Sequence, residues 1–284
     1  MKHFKYFYKM SRPLNVLIAG FTILIAAIVT GQFEFSAILV FAILTASFIT
    51  SGANIVNDIF DIEIDRINKP KRLLPSGKVS LKSAWIYFII SYFLAIILAL
   101  LSGWFMFIIA FSIGILLYTY SSYFKRTVLW GNIVVSFSTA IAFIYGAEAV
   151  GHWKAGIIPA FFSLFFHFGR EVIKDMQDME GDLAHNAVTF AGKFGKQNSI
   201  FLVNVVFFIL ILLTLVPYLL NIYNISYLWI VVFGVDLVLA GVSVIIWFRN
   251  DVSALGKVSH LLKLDMFVGL IAIYFGVIDV SFIN

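Results

Sequence analysis

Two short stretches hold most of the 15 acidic residues in this chain of 284. The first runs from Asn57 to Asp65 and carries Asp58, Asp61, Glu63 and Asp65. The second runs from Glu171 to Asp182 and carries Lys174, Asp175, Asp178 and Glu180 between its ends. Asn57, Asp61 and Asp65 recur every four residues, as do Asp178 and Asp182, with Asp175 three residues before Asp178. On a helix such spacings share a face, so each stretch presents a row of side-chain oxygens. Like charges spaced this way destabilise a bare helix, and a divalent cation offsets them. Oxygen-only donors, with no cysteine in the chain, suit a hard ion. Magnesium usually binds through one or two carboxylates while keeping waters and bridging phosphate oxygens. Two facing rows can clamp one diphosphate through metal ions; the bland alternative is a pair of acidic helix ends beside a solvated loop.

Cations and turn residues lie close to these rows. Directly after the first comes Arg66 to Lys78, where Lys69, Lys71 and Arg72 are interleaved with Pro70, Pro75 and Gly77, residues that punctuate helices. Arg72 can grip diphosphate oxygens as a fork and Lys69 as a point charge, or both can serve only to orient the chain in a membrane. Lys125 and Arg126 follow Tyr118, Tyr120 and Tyr123. Lys125 can reach a phosphate while a tyrosine face such as that of Tyr120 stabilises a developing cation, although tyrosine at a membrane boundary is also an ordinary interfacial residue. Arg12 poses the same choice. His167, near the second row, is either an acid–base group or a hydrogen-bonded member of the interior.

The elements that must position these groups are membrane helices. With 62% hydrophobic residues, 12% charged and a mean hydropathy of +1.00, the chain lies far from the make-up of a soluble domain. Apolar runs predict nine spans, Leu14 to Thr30, Ala37 to Val56, Ala84 to Leu101, Trp104 to Tyr120, Asn132 to Val150, Ile157 to Phe168, Ile200 to Leu219, Tyr227 to Phe248 and Leu261 to Phe282. The sixth is short and is expected to continue through Arg170 and Lys174. With the N-terminus in the cytoplasm, every basic residue except Lys154 falls on the cytoplasmic side, as the positive-inside rule requires. The C-terminus then lies opposite. The net charge of +5 is accounted for by topology in the cell membrane, and no nucleic-acid partner is implied. Both acidic rows follow even-numbered spans, so they meet on the cytoplasmic side; their equivalent positions hint at an internal four-helix repeat. No soluble domain is left over, and residues 1–284 are expected to form a single domain.

The residues now resemble a known family. Asn57-Asp58 with Asp61 and Asp65 is similar to the NDxxDxxxD motif of the UbiA superfamily of intramembrane prenyltransferases. Lys174-Asp175, Asp178 and Gly181-Asp182 resemble its second, KDxxDxxGD, motif. The resemblance implies an all-α bundle of nine transmembrane helices with a polar cytoplasmic cap over a central cavity. It implies Mg2+ held by Asn57, Asp61, Asp65, Asp178 and Asp182, with Asp61, Asp65, Asp178 and Asp182 as catalytic groups. Asp58, Asp175 and Lys174 fall at adjacent motif positions, and Arg72 falls where the family has a diphosphate-binding arginine.

The second motif and Pro75-Ser76-Gly77 resemble the branch that transfers a geranylgeranyl group to geranylgeranylglycerol phosphate, making ether lipids. The chain departs from that pattern in having Leu73 after Arg72 and in placing Tyr120 five residues before Lys125. The implied partners are a polyprenyl diphosphate, a lipid-like acceptor and membrane lipids. An aromatic acceptor, such as 4-hydroxybenzoate or a quinone precursor, would use the same metal site. A transporter using the carboxylates as an ion path would instead need charges deep in the spans, where only Glu148, Asp236 and Asp265 are scattered.

Overall fold

The computed structural model describes residues 2–184 and 188–278, and among them every regular element is helical. A short α1 (Lys2–Met10) turns at Arg12 into α2 (Pro13–Ile28). Proline suits the first helical position, where its missing N–H costs nothing. Arg12 itself takes a left-handed backbone conformation, φ 53°, which a non-glycine residue adopts only under constraint. Next come α3 (Ala37–Phe60), capped by Ser36, a short α4 (Ile62–Asn68), α5 (Leu81–Ser102), α6 (Trp104–Ser122) and α7 (Trp130–Glu148). The second half holds α8 (Ile157–Ala184), α9 (Phe190–Leu219), α10 (Ile225–Ile230), α11 (Leu237–Phe248) and α12 (Val252–Ile278). A π-helical stretch, Val231–Asp236, joins α10 to α11.

Among the described residues, eight helical runs are long and apolar enough to cross a membrane. The expected first span is the exception: α2 has 16 residues, below the roughly 20 that a crossing takes. Pro13 fixes its start, and its end unwinds through Thr30 to Gly31, whose φ of 68° the missing Cβ permits. The expected sixth span does continue past Phe168, as α8 runs unbroken through Arg170 and Lys174 to Ala184. The end of the ninth expected span, at Phe282, lies outside the described residues.

The helices close into a ring. Helix α2 packs on α3 and α7, α3 on α5 and α6, α7 on α8, α8 on α9, α9 on α11, and α12 returns to touch α8 and α2. Pairings of α2 with α3 and α3 with α5 recur as α7 with α8 and α8 with α9, in keeping with the expected repeat. At the α2–α7 crossing, a Cβ on Gly146 would lie 2.5 Å from the Ile23 carbonyl oxygen, so only glycine lets the two backbones come this close. Outward faces of α5 and α6 expose Ile89, Phe93, Leu101, Trp104 and Ile108; lipid tails accept such faces at no cost. At one end of the ring, Met10, Ile55, Ile59, Leu74, Val79 and Ala84 pack together, tying α1 and the 69–80 loop over the end of α3.

Candidate active site

The first acidic row sits where α3 passes into α4. Asp61 marks the junction, with φ −91° and ψ 2°, yet helical bonding runs through it: the Asp61 N–H donates to Asn57 O at 3.0 Å and the Asp65 N–H to Asp61 O at 2.7 Å. The four-residue register therefore survives the break. Asn57 Nδ2 donates to Asp61 Oδ2 at 2.9 Å. Lys125, brought in by the short 3-10 turn Phe124–Arg126 after α6, forms an ion pair with Asp61 and lies 3.4 Å from Asn57 Oδ1.

Arg72 reaches back from the loop to Asp65 Oδ2 at 2.5 Å and to Asp58 Oδ1 at 3.2 Å. That loop is folded, with the Ser76 N–H on Arg72 O, the Gly77 N–H on Leu74 O, and Leu74 buried beneath it. Arg12 meets Asp58 Oδ1 at 2.5 Å, which accounts for its strained backbone: the tight α1–α2 turn delivers its guanidinium to the first row. Burial pushes the Asp65 carboxyl above the usual carboxylate range, and the Arg72 guanidinium offsets that only in part.

The second row lies along the polar end of α8. Asp175 accepts a hydrogen bond from Asn132 Nδ2 of α7 at 2.8 Å. Glu171 is buried and pairs with Arg170 at 3.1 Å and Lys174 at 2.6 Å. Asp178 and Asp182 have neither an ion pair nor a hydrogen bond to their side chains among the described residues. Asp182 is within electrostatic range of Asp178, Lys125, Asp61 and Lys69, so the two rows face each other.

Both rows open into one cavity of about 800 Å³. Its polar end carries Asn57, Asp61, Asp65, Lys69, Arg72 and Lys125 from one side, and Lys174, Asp175, Asp178 and Asp182 from the other. Arg12 and Tyr120 also line it, with Tyr120 in range of charges from both rows. Asp58 alone among the predicted site residues does not line the cavity; Arg12 and Arg72 hold it behind the wall. Away from that end the lining is mostly apolar, with Ile109, Ile113, Phe162, Leu210, Val235 and Ile273 among others, and Thr214, Tyr145 and Asp265 as polar members.

Sequence reasoning missed Asn132, which left no signal beyond its place at a helix start, and Lys263. The latter stands third in the expected ninth span, where it reads as one more cation of the cytoplasmic side. Among the described residues, no three acidic or histidine side chains gather closely enough to hold a metal by themselves. The donor set fits a hard ion that completes its coordination with water and phosphate oxygens: oxygen only, in two facing rows, with Asp178 and Asp182 left unpaired.

A helical ring that closes over an apolar cavity, with facing carboxylate rows at one mouth, is the architecture of an intramembrane enzyme acting on lipid-like substrates. The family model described as the UbiA prenyltransferase family matches residues 17–269, and the chain belongs to that family. It is thus a multi-pass integral membrane prenyltransferase. It is 32% identical over 261 residues to digeranylgeranylglyceryl phosphate synthase of Methanothermobacter thermautotrophicus, covering 92% of both chains. The synthase of the same name from Methanocaldococcus jannaschii is 33% identical, with 98% of each chain covered. A solved structure of digeranylgeranylglyceryl phosphate synthase superposes at a TM-score of 0.80 with 30% identity, covering 98% of this chain and 100% of that one. A UbiA homologue from Archaeoglobus fulgidus, solved with GPP and Mg2+, shares the fold at a TM-score of 0.67 and 17% identity, over 94% of this chain and 99% of that one.

Proposed function

We infer that the chain transfers a geranylgeranyl group from its diphosphate to the hydroxyl of geranylgeranylglycerol phosphate, forming an ether lipid precursor with the help of Mg2+. The observation that carries this reading is the pair of facing carboxylate rows at the mouth of an apolar cavity. The names of relatives matched along nearly their whole length support the glycerol acceptor over an aromatic one. Membership of a prenyltransferase family displaces the transporter alternative. Residues 1–284 act as one domain, with the N-terminus and the site on the cytoplasmic side of the cell membrane and the C-terminus opposite, as the distribution of basic residues supports.

Asn57, Asp61, Asp65, Asp178 and Asp182 would hold the metal. When bound, magnesium supplies positive charge against the departing diphosphate. The chain's own cations do related work. Lys125 and Arg72, which pair with Asp61 and Asp65, line the same mouth and would donate to diphosphate oxygens there, with Lys69 exposed beside them. Charge developing on the leaving group is thereby met by groups already in place. The allylic C–O bond breaks, the diphosphate departs with the electron pair, and the acceptor hydroxyl attacks the allylic carbon to form the ether. The hydroxyl proton passes to the diphosphate. Apolar walls keep water from competing for the carbocation, and the Tyr120 ring is placed to face it.

The test is transfer of radiolabelled geranylgeranyl diphosphate by purified protein, with and without magnesium, to geranylgeranylglycerol phosphate and to 4-hydroxybenzoate in parallel. Ether product that requires magnesium and vanishes in Asp61→Ala and Asp178→Ala is the expected result. Prenylated benzoate alone would overturn the acceptor.

A further inference from the structure

The cavity also has a group of cations where the start of the second row meets α2 and α12. It is built by α2, α8 and α12. Arg170 and Lys174 both pair with Glu171, and Arg170 Nε also donates to the Ser259 carbonyl of α12 at 3.4 Å. Lys263, on α12, makes no ion pair among the described residues. Its Nζ donates to Asn15 Oδ1 of α2 at 2.6 Å, and Asn15 Nδ2 donates in turn to Asn54 Oδ1 at 3.3 Å. Lys263 lies in the fields of Arg170, Arg12 and Lys174.

Arg170 and Lys174 share Glu171, Lys174 also neighbours Asp175, Lys263 has no carboxylate partner among the described residues, and all five line the cavity. Uncompensated cations inside a helical bundle are costly unless an anion meets them. A phosphomonoester carries roughly −1.5 to −2 charge near pH 7 and offers three strong acceptor oxygens, which suits three cationic donors on one stretch of wall, of which Lys263 is bonded only to an amide.

Building on the prenyl-transfer reading, the geometry points to Lys263 and Arg170, together with Lys174 of the second row, as a subsite for the phosphate of the glycerol phosphate acceptor. Donor and acceptor then present their phosphate groups to different cations of one cavity mouth, and Lys263 sets the preference for a phosphorylated acceptor. Glu171 holds Arg170 and Lys174 in place while the subsite is empty of substrate.

Binding of geranylgeranylglycerol phosphate and of the unphosphorylated geranylgeranylglycerol to the full chain, in detergent without magnesium or diphosphate, tests the subsite apart from catalysis. Two or more charge-assisted contacts predict a preference of at least about 30-fold for the phosphorylated form. Lys263→Gln should cut that preference about tenfold, and Lys263→Arg should keep most of it. In the transfer assay, Lys263→Gln should raise the acceptor KM about tenfold while the geranylgeranyl diphosphate KM moves less than about twofold, which also shows that the variant folds.

Equal binding of the two forms by the unaltered protein would overturn the proposal, as would an equal loss of both in Lys263→Gln. So would a rise in the diphosphate KM, which would place Lys263 on the donor wall. Phosphatidylglycerol, a phosphodiester, serves as the control for a structural lipid; tighter binding of it than of the monoester would also overturn the subsite. A protein that prefers the phosphorylated glycerol yet transfers no prenyl group would keep the subsite and sink the proposed reaction.

Discussion

The two acidic rows share residue types and a four-residue spacing but have opposite electrostatic settings. In the first, every aspartate is met by a cation: Asp58 by Arg12 and Arg72, Asp61 by Lys125, and Asp65 by Arg72. In the second, Asp175 has only the amide of Asn132, and Asp178 and Asp182 have no partner among the described residues. Helical spacing brings carboxylates together, but the surrounding fold decides whether they are compensated. The aspartates of the first row are neutralised by neighbouring cations, whereas Asp175, Asp178 and Asp182 keep a mutual repulsion that a metal would offset.

The largest test of this contrast is magnesium dependence. In Asp178→Asn/Asp182→Asn, the magnesium concentration for half-maximal transfer should rise by about 100-fold. In Asp58→Asn, whose carboxylate stands behind the cavity wall, it should rise less than about threefold, measured as rate against free magnesium. Equal sensitivity of the two would break the contrast. A smaller effect is expected for Arg72→Lys. A point charge cannot span Asp58 and Asp65 as the guanidinium does, so the KM for the prenyl diphosphate should rise about tenfold with the acceptor KM little altered.

The smallest effect is also the most direct, because its sign differs between the rows. In EDTA, Asp61→Asn leaves Lys125 without its carboxylate, and Asp65→Asn does the same to part of Arg72. Both pairs are partly open to water, so each loss should cost about 1 kcal/mol. Asp182→Asn removes repulsion instead and should leave the apo protein as stable as the unaltered chain or slightly more so. Thermal unfolding in detergent, followed by intrinsic fluorescence, reads both directions.

Much of this arrangement is legible in the sequence for physical reasons. Carboxylates are too costly in a lipid-embedded chain to be scattered without purpose, so their clustering at four-residue intervals is enough to mark the site. The polar continuation of α8 is legible because Arg170, Lys174 and the acidic row follow an apolar run at helical spacing. The exclusion of Asp58 is latent there as well: a residue next to Asn57 points about 100° away from it on a helix. Other features depend on contacts between distant segments. Nothing local tells that Lys263 will meet Asn15, since that depends on α12 returning to α2 to close the ring. Asn132 gains meaning only from Asp175 on the neighbouring helix. The π-helical stretch before α11 leaves no mark in a run that is apolar throughout, apart from Asp236 at its end, to which the Thr214 hydroxyl of α9 donates.

The shortness of α2 has a mechanical consequence. Its 16 residues rise about 24 Å, some way below the roughly 30 Å of a typical hydrocarbon layer, while its neighbours in the ring are longer. Lipid beside α2 must thin, or the protein must tilt, at a fraction of a kcal/mol per Å of mismatch. One end of α2 is the Arg12 turn, fastened to Asp58 and through Arg72 to Asp65. Bilayer thickness is therefore a load on the cavity mouth, passed to it through the Arg12 turn.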